Sequence, residues 1–205
     1  MAQNKQQRIA QETLDIFAPL AGRLGIGKIK SELEDLSLRY LQPDKYFEIA
    51  QLVAQKKTER EQAVQMLMQT ISINLKQNKI EAEITGRAKH YYSIYKKMKR
   101  LNIAFHDLYD ITAVRIIVNT VRECYEVLGV IHSHFKPIPG RFKDYIAVPK
   151  SNGYKSLHTS VLGPRQKPLE VPIRTKEMHH IAEYGVAAHW RYKESGSVKA
   201  NSKTD

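Results

Sequence analysis

Leu157 to Arg174 reads L-H-T-S-V-L-G-P-R-Q-K-P-L-E-V-P-I-R, and the fold turns on this stretch. Leu157 to Leu162 and Leu169 to Arg174 have strand composition, and Gly163-Pro164 punctuates between them, so the two runs read as a strand pair joined by a turn. In the second run Leu169, Val171 and Ile173 point to one side, while Glu170, Pro172 and Arg174 point to the other. One face is core; the opposite face presents a carboxylate and a guanidinium. A polar strand face usually just meets solvent, so the alternation alone does not make Glu170 functional.

Around this pair, Ile111 to Val118 is rich in branched apolar residues and reads as a buried strand. Ile80 to Ile84 alternates as another strand, and Tyr145 to Val148 reads as a short one. Lys89 to Leu101 reads as a basic helix, Val121 to His134 as a second, and Lys176 to Tyr192 as a closing helix. Strands and helices interleaved around one sheet define an α+β domain. The first 78 residues read differently. Ile29, Leu33, Leu36 and Tyr40 recur at helical spacing, and Pro43-Asp44 punctuates. A long helix follows with Val64, Leu67, Ile71 and Leu75 on one face. Ala21 to Gly27 holds three glycines but lacks the lysine–serine ending of a phosphate loop and precedes no clear strand, so it reads as a helix–helix connection. The expected organisation is a helical segment over 1–78, an α+β domain over 79–193 and a disordered tail over 194–205.

The chain of 205 residues carries 33 Lys+Arg against 21 Asp+Glu, a net charge of +12. That balance favours anionic partners (nucleotides, nucleic acid or an acidic surface) without choosing among them. Cys124 is the only cysteine, so no intrachain disulfide forms and a reducing compartment is expected; its apolar setting reads as that of a buried structural thiol. No apolar run approaches the ~20 residues of a membrane span. The start, M-A-Q-N-K-Q-Q-R, lacks a signal peptide's hydrophobic stretch, and the expectation is a soluble cytoplasmic chain with no membrane partner. His132/His134 and His179/His180, with one thiolate available, do not make a zinc set.

Arg141 to Thr159, R-F-K-D-Y-I-A-V-P-K-S-N-G-Y-K-S-L-H-T, concentrates cations and aromatic rings about a turn. Arg141, Lys150 and Lys155 suit phosphate, Asn152-Gly153 supplies a tight turn, and Tyr154 offers a ring on which a base could stack. On chemistry alone a nucleotide-phosphate pocket and a solvated basic loop stand level.

This loop and three other segments, in order, resemble the RelA/SpoT family of (p)ppGpp synthetases. Gly86 to Met98 (G-R-A-K-H-Y-Y-S-I-Y-K-K-M) resembles its ATP-binding segment, and Asp110 to Val118 (D-I-T-A-V-R-I-I-V) its metal-binding strand. Leu169 to Thr175, followed by Met178-His179 and Ala182 to Trp190, resembles its catalytic strand and the helix after it. The resemblance implies a nucleotidyltransferase-like mixed sheet flanked by helices. It also implies magnesium-dependent transfer of pyrophosphate from ATP to the 3′-hydroxyl of GDP or GTP, with no nucleic acid required.

By the same resemblance, Glu170 is the catalytic glutamate, which helps bind Mg2+ and is thought to deprotonate the acceptor hydroxyl, and Asp110 is the second metal carboxylate. Magnesium asks for one or two protein carboxylates, which this pair supplies. Arg87, Lys89, Ser93, Lys97 and Arg115 match positions that hold ATP, with Arg87 and Arg115 stacking on adenine. Lys89, Ser93 and Lys97 are spaced i, i+4, i+8, one face if the segment is helical. Arg141, Lys143, Lys150, Asn152, Tyr154 and His158 match the GDP/GTP side, with Tyr154 stacking on guanine, and Arg174 orients the site or meets phosphate. Arg141 to Asp144 resembles the basic version of a family motif associated with bifunctional enzymes and GDP preference.

Residues 8 to 43 resemble the last helices of the hydrolase domain of long family members, although Gly22 stands where a histidine is expected. The chain therefore reads as a fragment of a long, bifunctional-type member, and hydrolysis is not expected. A reading of another class is a basic nucleotide- or RNA-binding module with a degenerate site, against which the retained Asp110 and Glu170 argue. One departure stands out: Pro172 occupies a position where the family usually has glutamine. Proline has no N–H for a sheet ladder, so it belongs on an edge strand, at a bulge or facing away from a partner. A weakened enzyme is the expectation.

Overall fold

The computed structural model describes residues 2–55, 57–105, 108, 112–163, 166 and 168–185. Helices dominate the first part. α1 (Gln3–Glu12) runs through a π-helical turn (Thr13–Phe17) into α2 (Ala18–Arg23), and α3 (Gly27–Leu41), α4 (Pro43–Gln55) and α5 (Lys57–Gln77) follow. Then come β1 (Glu83–Ala88), α6 (Tyr91–Leu101), β2 (Thr112–Val118), α7 (Val121–His134), β3 (Lys143–Asp144), β4 (Leu157–Leu162), β5 (Pro168–Thr175) and α8 (Lys176–Tyr184).

The strands form one sheet in the order β1-β2-β5-β4-β3. β2 and β5 run parallel, and the other neighbouring pairs are antiparallel. This is the expected α+β mixed sheet flanked by helices. Alternation along the strands works as anticipated. Val114, Ile116, Val118, Leu157, Val161, Leu169, Val171 and Ile173 share a core with Leu67, Ile71 and Leu75 of α5 and Cys124, Val127 and Ile131 of α7. Truncating any of the fully buried isoleucines here costs about 2–5 kcal/mol. Burial pushes the Cys124 thiol up to about 12, which keeps it protonated and inert. α7 starts at a capping box in which Thr120 and Glu123 exchange backbone and side-chain hydrogen bonds. A second, smaller core joins Ile49 of α4 to Ile94 of α6, Phe105 and Leu108.

Several boundaries differ from the sequence reading, each for a local reason. The strand expected at Ile80 begins only at Glu83. Just past α5, Lys79 takes φ 57 and Ile80 N–H bonds back to Leu75 O at 2.9 Å, so Ile80 closes the helix end instead of starting the strand. The basic helix begins at Tyr91, with His90 extended, so Lys89 precedes it. Tyr145 to Val148 is a turn, because Asp144 Oδ1 accepts from both Ile146 and Ala147 N–H, at 2.9 and 2.8 Å, and wraps the chain around itself. The strand there is the two-residue β3. α8 stops at Tyr184 because Gly185 takes φ +83, where a Cβ would lie 2.7 Å from Leu24 O. The rest of the helix expected to Tyr192, and the tail, lie outside the described residues.

Pro172 sits on a central strand, not an edge. Its register with β4 is continuous, opposite His158, whereas the pairing with β2 joins Ala113 to Glu170 and resumes at Ile116 with Ile173. The proline falls in that interval, where its missing N–H would have faced β2.

The apolar residues Ile29, Leu36 and Tyr40 do lie on a helix, yet they are exposed; α3 buries Ser37 and Leu38 instead. Beside Leu38, partly buried polar residues of α3, Ser31, Glu34 and Asp35, face the site described next. No helix among the described residues is long and apolar enough to cross a membrane.

Candidate active site

The sheet face opposite the main core carries Arg115 on β2, His158 and Ser160 on β4, and Glu170, Pro172 and Arg174 on β5. Two cavities of about 620 and 640 Å³ open above it. The first is lined by Lys89, Ser93, Lys97, Arg115 and Arg174, among others. The second is lined by Arg141, Lys143, Lys150 and Tyr145. Lys97, Arg141, His158 and Glu170 line both. The described side chains expected on the donor side thus gather in one cavity, and four of the six expected on the acceptor side gather in the other.

Glu170 stands where the cavities meet. Its Oε2 is 3.1 Å from Lys89 Nζ, and its Oε1 is 3.2 Å from His158 Nδ1. The hydrogen bond from His158, aided by the Lys89 ammonium, outweighs burial and holds the carboxyl at about 2. His158 Nε2 lies 2.7 Å from the Tyr154 hydroxyl. If Tyr154 O–H donates to Nε2, Nδ1 carries the proton that His158 gives to Glu170, so the hydrogen-bond chain selects the tautomer. Tyr154, His158, Glu170 and Lys89 therefore form one line across the site.

A second carboxylate organises the arginines. Glu183 Oε1 of α8 is 3.3 Å from Arg115 Nη2 and 3.2 Å from Arg174 Nη2, and Arg174 also donates to His179 Nδ1 at 2.8 Å. Arg174 is buried, 3% exposed, so its charge depends on this partner. Sequence reasoning named Arg115 and Arg174 but not Glu183, which lies within a quoted motif yet gives no local sign of its partners.

The acceptor loop divides. Asn152 and Tyr154 line a third cavity of about 270 Å³, between the Gly22–Gly27 connection and α8, and Tyr154 also reaches the first. Asn152 uses its amide on backbone: Nδ2 donates to Gly22 O at 2.9 Å, and Oδ1 accepts from Tyr154 N–H at 3.2 Å. On the other wall of this cavity Gly27 lets α3 pack against α8, since a Cβ there would lie 2.6 Å from Ala182 O. The Lys150 ammonium lies 4.6 Å from the Tyr145 ring centre and 5.0 Å from that of Tyr154. Lys155 is exposed. Asp144, fixed by its turn, also accepts from the Tyr125 hydroxyl at 2.9 Å and so ties the loop to α7. Arg87 lies on β1. Asp110 lies outside the described residues; Ala113, three residues after it, is the register partner of Glu170.

A mixed sheet that offers one carboxylate and a ring of cations to two adjoining cavities suits anionic ligands held side by side. Residues 86–197, more than half of the chain, match the family model described as a region found in RelA / SpoT proteins, and the chain belongs to that family. It is 56% identical over 197 residues to a probable guanosine-3′,5′-bis(diphosphate) 3′-pyrophosphohydrolase of Synechocystis sp., covering 96% of this chain and 26% of that protein. It is 53% identical over 198 residues to a GTP pyrophosphokinase of Myxococcus xanthus, covering 97% and 26%. The chain thus spans about a quarter of the length of these relatives. Among solved structures it resembles the small alarmone synthetase 1 of Bacillus subtilis bound to its product pppGpp, with TM-score 0.53 and 27% identity over 70% of this chain and 83% of that one.

Proposed function

We propose that this chain carries the site of a GTP pyrophosphokinase, which moves the β,γ-diphosphate of ATP onto the 3′-oxygen of GDP or GTP to give ppGpp or pppGpp. One observation carries the reading: Glu170 stands at the junction of two cation-lined cavities, held between Lys89 on one side and His158 on the other. Relatives called GTP pyrophosphokinase and the likeness to a pppGpp-bound synthetase support it. The catalytic domain is taken as 79–193 and the helical segment as 1–78, and the compartment as the cytoplasm, in line with the single reduced thiol.

In this reaction the guanosine 3′-oxygen attacks the β-phosphorus of ATP. The bond from that phosphorus to the oxygen bridging the α-phosphate breaks, AMP leaves with the oxygen, and the 3′-hydroxyl proton is released. Such transfer needs alignment and charge neutralisation more than covalent help from the protein. Lys89, Ser93, Lys97 and Arg115, with Arg87, hold the donor, and Arg141, Lys143, Lys150 and His158, with Tyr154 and Asn152, hold the acceptor. Arg174 braces the floor through Glu183.

The electrostatics favour one role for Glu170 over another. A carboxylate held at about 2 is a poor general base near neutral pH, but it stays ionised and so suits a cation. The Lys89 ammonium at 3.1 Å already stands where a cation belongs. We assign Mg2+ to Glu170 and Asp110. Held there, it would supply charge neutralisation for the phosphate oxygens. His158 keeps the carboxylate oriented, and Lys89, so displaced, would be free to meet phosphate.

Transfer of label from γ-labelled ATP to GDP tests the reading. Product formation that EDTA abolishes is expected. Tight binding of both nucleotides with no transfer at saturating magnesium would overturn it in favour of a binding module.

A further inference from the structure

The helix beneath the donor cavity has no cap of its own. The first N–H groups of a helix lack intrahelical partners, and at α6 the side chain of the N-cap residue, His90, does not cap them. The partner comes from 57 residues away: Tyr92 N–H donates to Asp35 Oδ1 of α3 at 2.8 Å. Asp35 Oδ2 lies 3.4 Å from His90 Nδ1. Ser31, one turn earlier on α3, lines the first cavity beside Ser93.

A carboxylate at a helix N-terminus meets the positive end of the helix dipole as well as an orphan donor. With Asp35 seated there, that end of α6 is not a seat for phosphate, and the donor's phosphates are left to side chains. Lys89 lies two residues before the helix, and Ser93 and Lys97 lie on its face toward the cavity. Where the first turn starts therefore sets the position of all three. The small apolar core of Ile49 and Ile94 holds the middle of α6, and Asp35 holds its start.

We propose that Asp35 is a positioning residue for the donor nucleotide: by capping α6 from α3 it fixes Lys89 and Ser93 against the first cavity. This rests on reading that cavity as the ATP site. It also makes α3 a working part of the site.

The test compares the parent with Asp35→Ala and Asp35→Asn. Amide hydrogen exchange at Tyr92 reports the cap. Calorimetry with a non-hydrolysable ATP analogue and, separately, with GDP reports the site. Losing a cap costs about 1 kcal/mol, or roughly fivefold in affinity. Asp35→Ala is expected to expose the Tyr92 amide and weaken the ATP analogue about fivefold, with GDP within about twofold. Asp35→Asn, which keeps the acceptor oxygen, should stay close to the parent in both. Should the alanine variant fail to fold, Asp35→Ser takes its place, since its hydroxyl is too short for the same reach. Equal losses for both nucleotides, an unchanged ATP affinity with Tyr92 exposed, or asparagine behaving like alanine would each overturn the role of Asp35. A parent that binds GDP but no ATP analogue would instead overturn the reading of the cavity, whatever the exchange at Tyr92 shows.

Discussion

Replacing Glu170 by Gln should destabilise the fold as well as stop transfer, and the size of the loss follows from the surroundings of the carboxylate. In the folded chain His158 and Lys89 hold this group at about 2, against 4.5 for an ordinary glutamate. At 1.36 kcal/mol per pH unit that difference is worth roughly 3 kcal/mol. The side chain is 29% exposed, so solvent screening trims the figure to about 1–2 kcal/mol. For a chain of this length the melting temperature should fall by about 3–6 °C at pH 7. A carboxyl held low contributes stability that is fully present above about 4.5 and is lost as the pH falls toward 2. The gap between parent and variant should therefore narrow below pH 4.5 and drop to under half by about pH 3. Scanning fluorimetry across that range measures it. Many catalytic carboxylates are strained, and removing them stabilises the fold. A Gln variant melting at or above the parent at pH 7 would refute the mutual dependence of these groups, in which Lys89 and His158 need Glu170 as much as it needs them.

Tyr154→Ala should weaken the guanine nucleotide by about 1–3 kcal/mol and ATP much less, measured by separate titrations; equal losses would place the ring outside the acceptor pocket. Reversing the charge of Arg141 and Lys143, both on the second cavity, should shift acceptor preference from GDP toward GTP, and an unchanged ratio of kcat/KM values would remove the motif from selectivity. Pro172→Gln should restore a ladder donor toward β2 and raise both transfer rate and Tm, the latter by a few degrees for about 1 kcal/mol. A variant equal to the parent in both would show that the interval opposite Arg115 costs nothing.

The sheet is legible because each strand buries one face. Val171 and Ile173 turn into the core while Glu170 and Arg174 turn out, and a period of two is visible in any single sequence. α7 is legible to both its ends because Thr120 and Glu123 mark its start locally. What escapes the sequence is local in a different sense. Ile80 looks like a strand residue and is spent on closing α5; Tyr145 to Val148 is apolar enough for a strand, but the Asp144 carboxylate offers its N–H groups a nearer partner. The least visible features are contacts between side chains far apart in the chain. Nothing near Asp35 indicates that its partner is Tyr92, nothing near Glu183 indicates Arg115, and Asn152 reads as a turn residue with no hint of Gly22. Such contacts depend on how elements dock, which hydrophobic period does not encode.

Those contacts also say how a chain with a charge of +12 keeps a cationic site ordered before any substrate arrives. Lys89 rests on Glu170, and Arg115 and Arg174 rest on Glu183, so these three cations are held against two internal carboxylates. Buried cations without such partners would repel one another and lose their geometry. On the proposed reading the arrangement would lower the affinity for nucleotides, because each phosphate must compete with a carboxylate already in place. What it supplies in return is preorganisation: the cations already stand at the cavities, and on the proposed reading a Mg2+ held by Glu170 would free the Lys89 ammonium for phosphate. On that reading ATP without the metal would leave Lys89 tied to Glu170, which is a physical reason for donor binding and metal binding to depend on each other there.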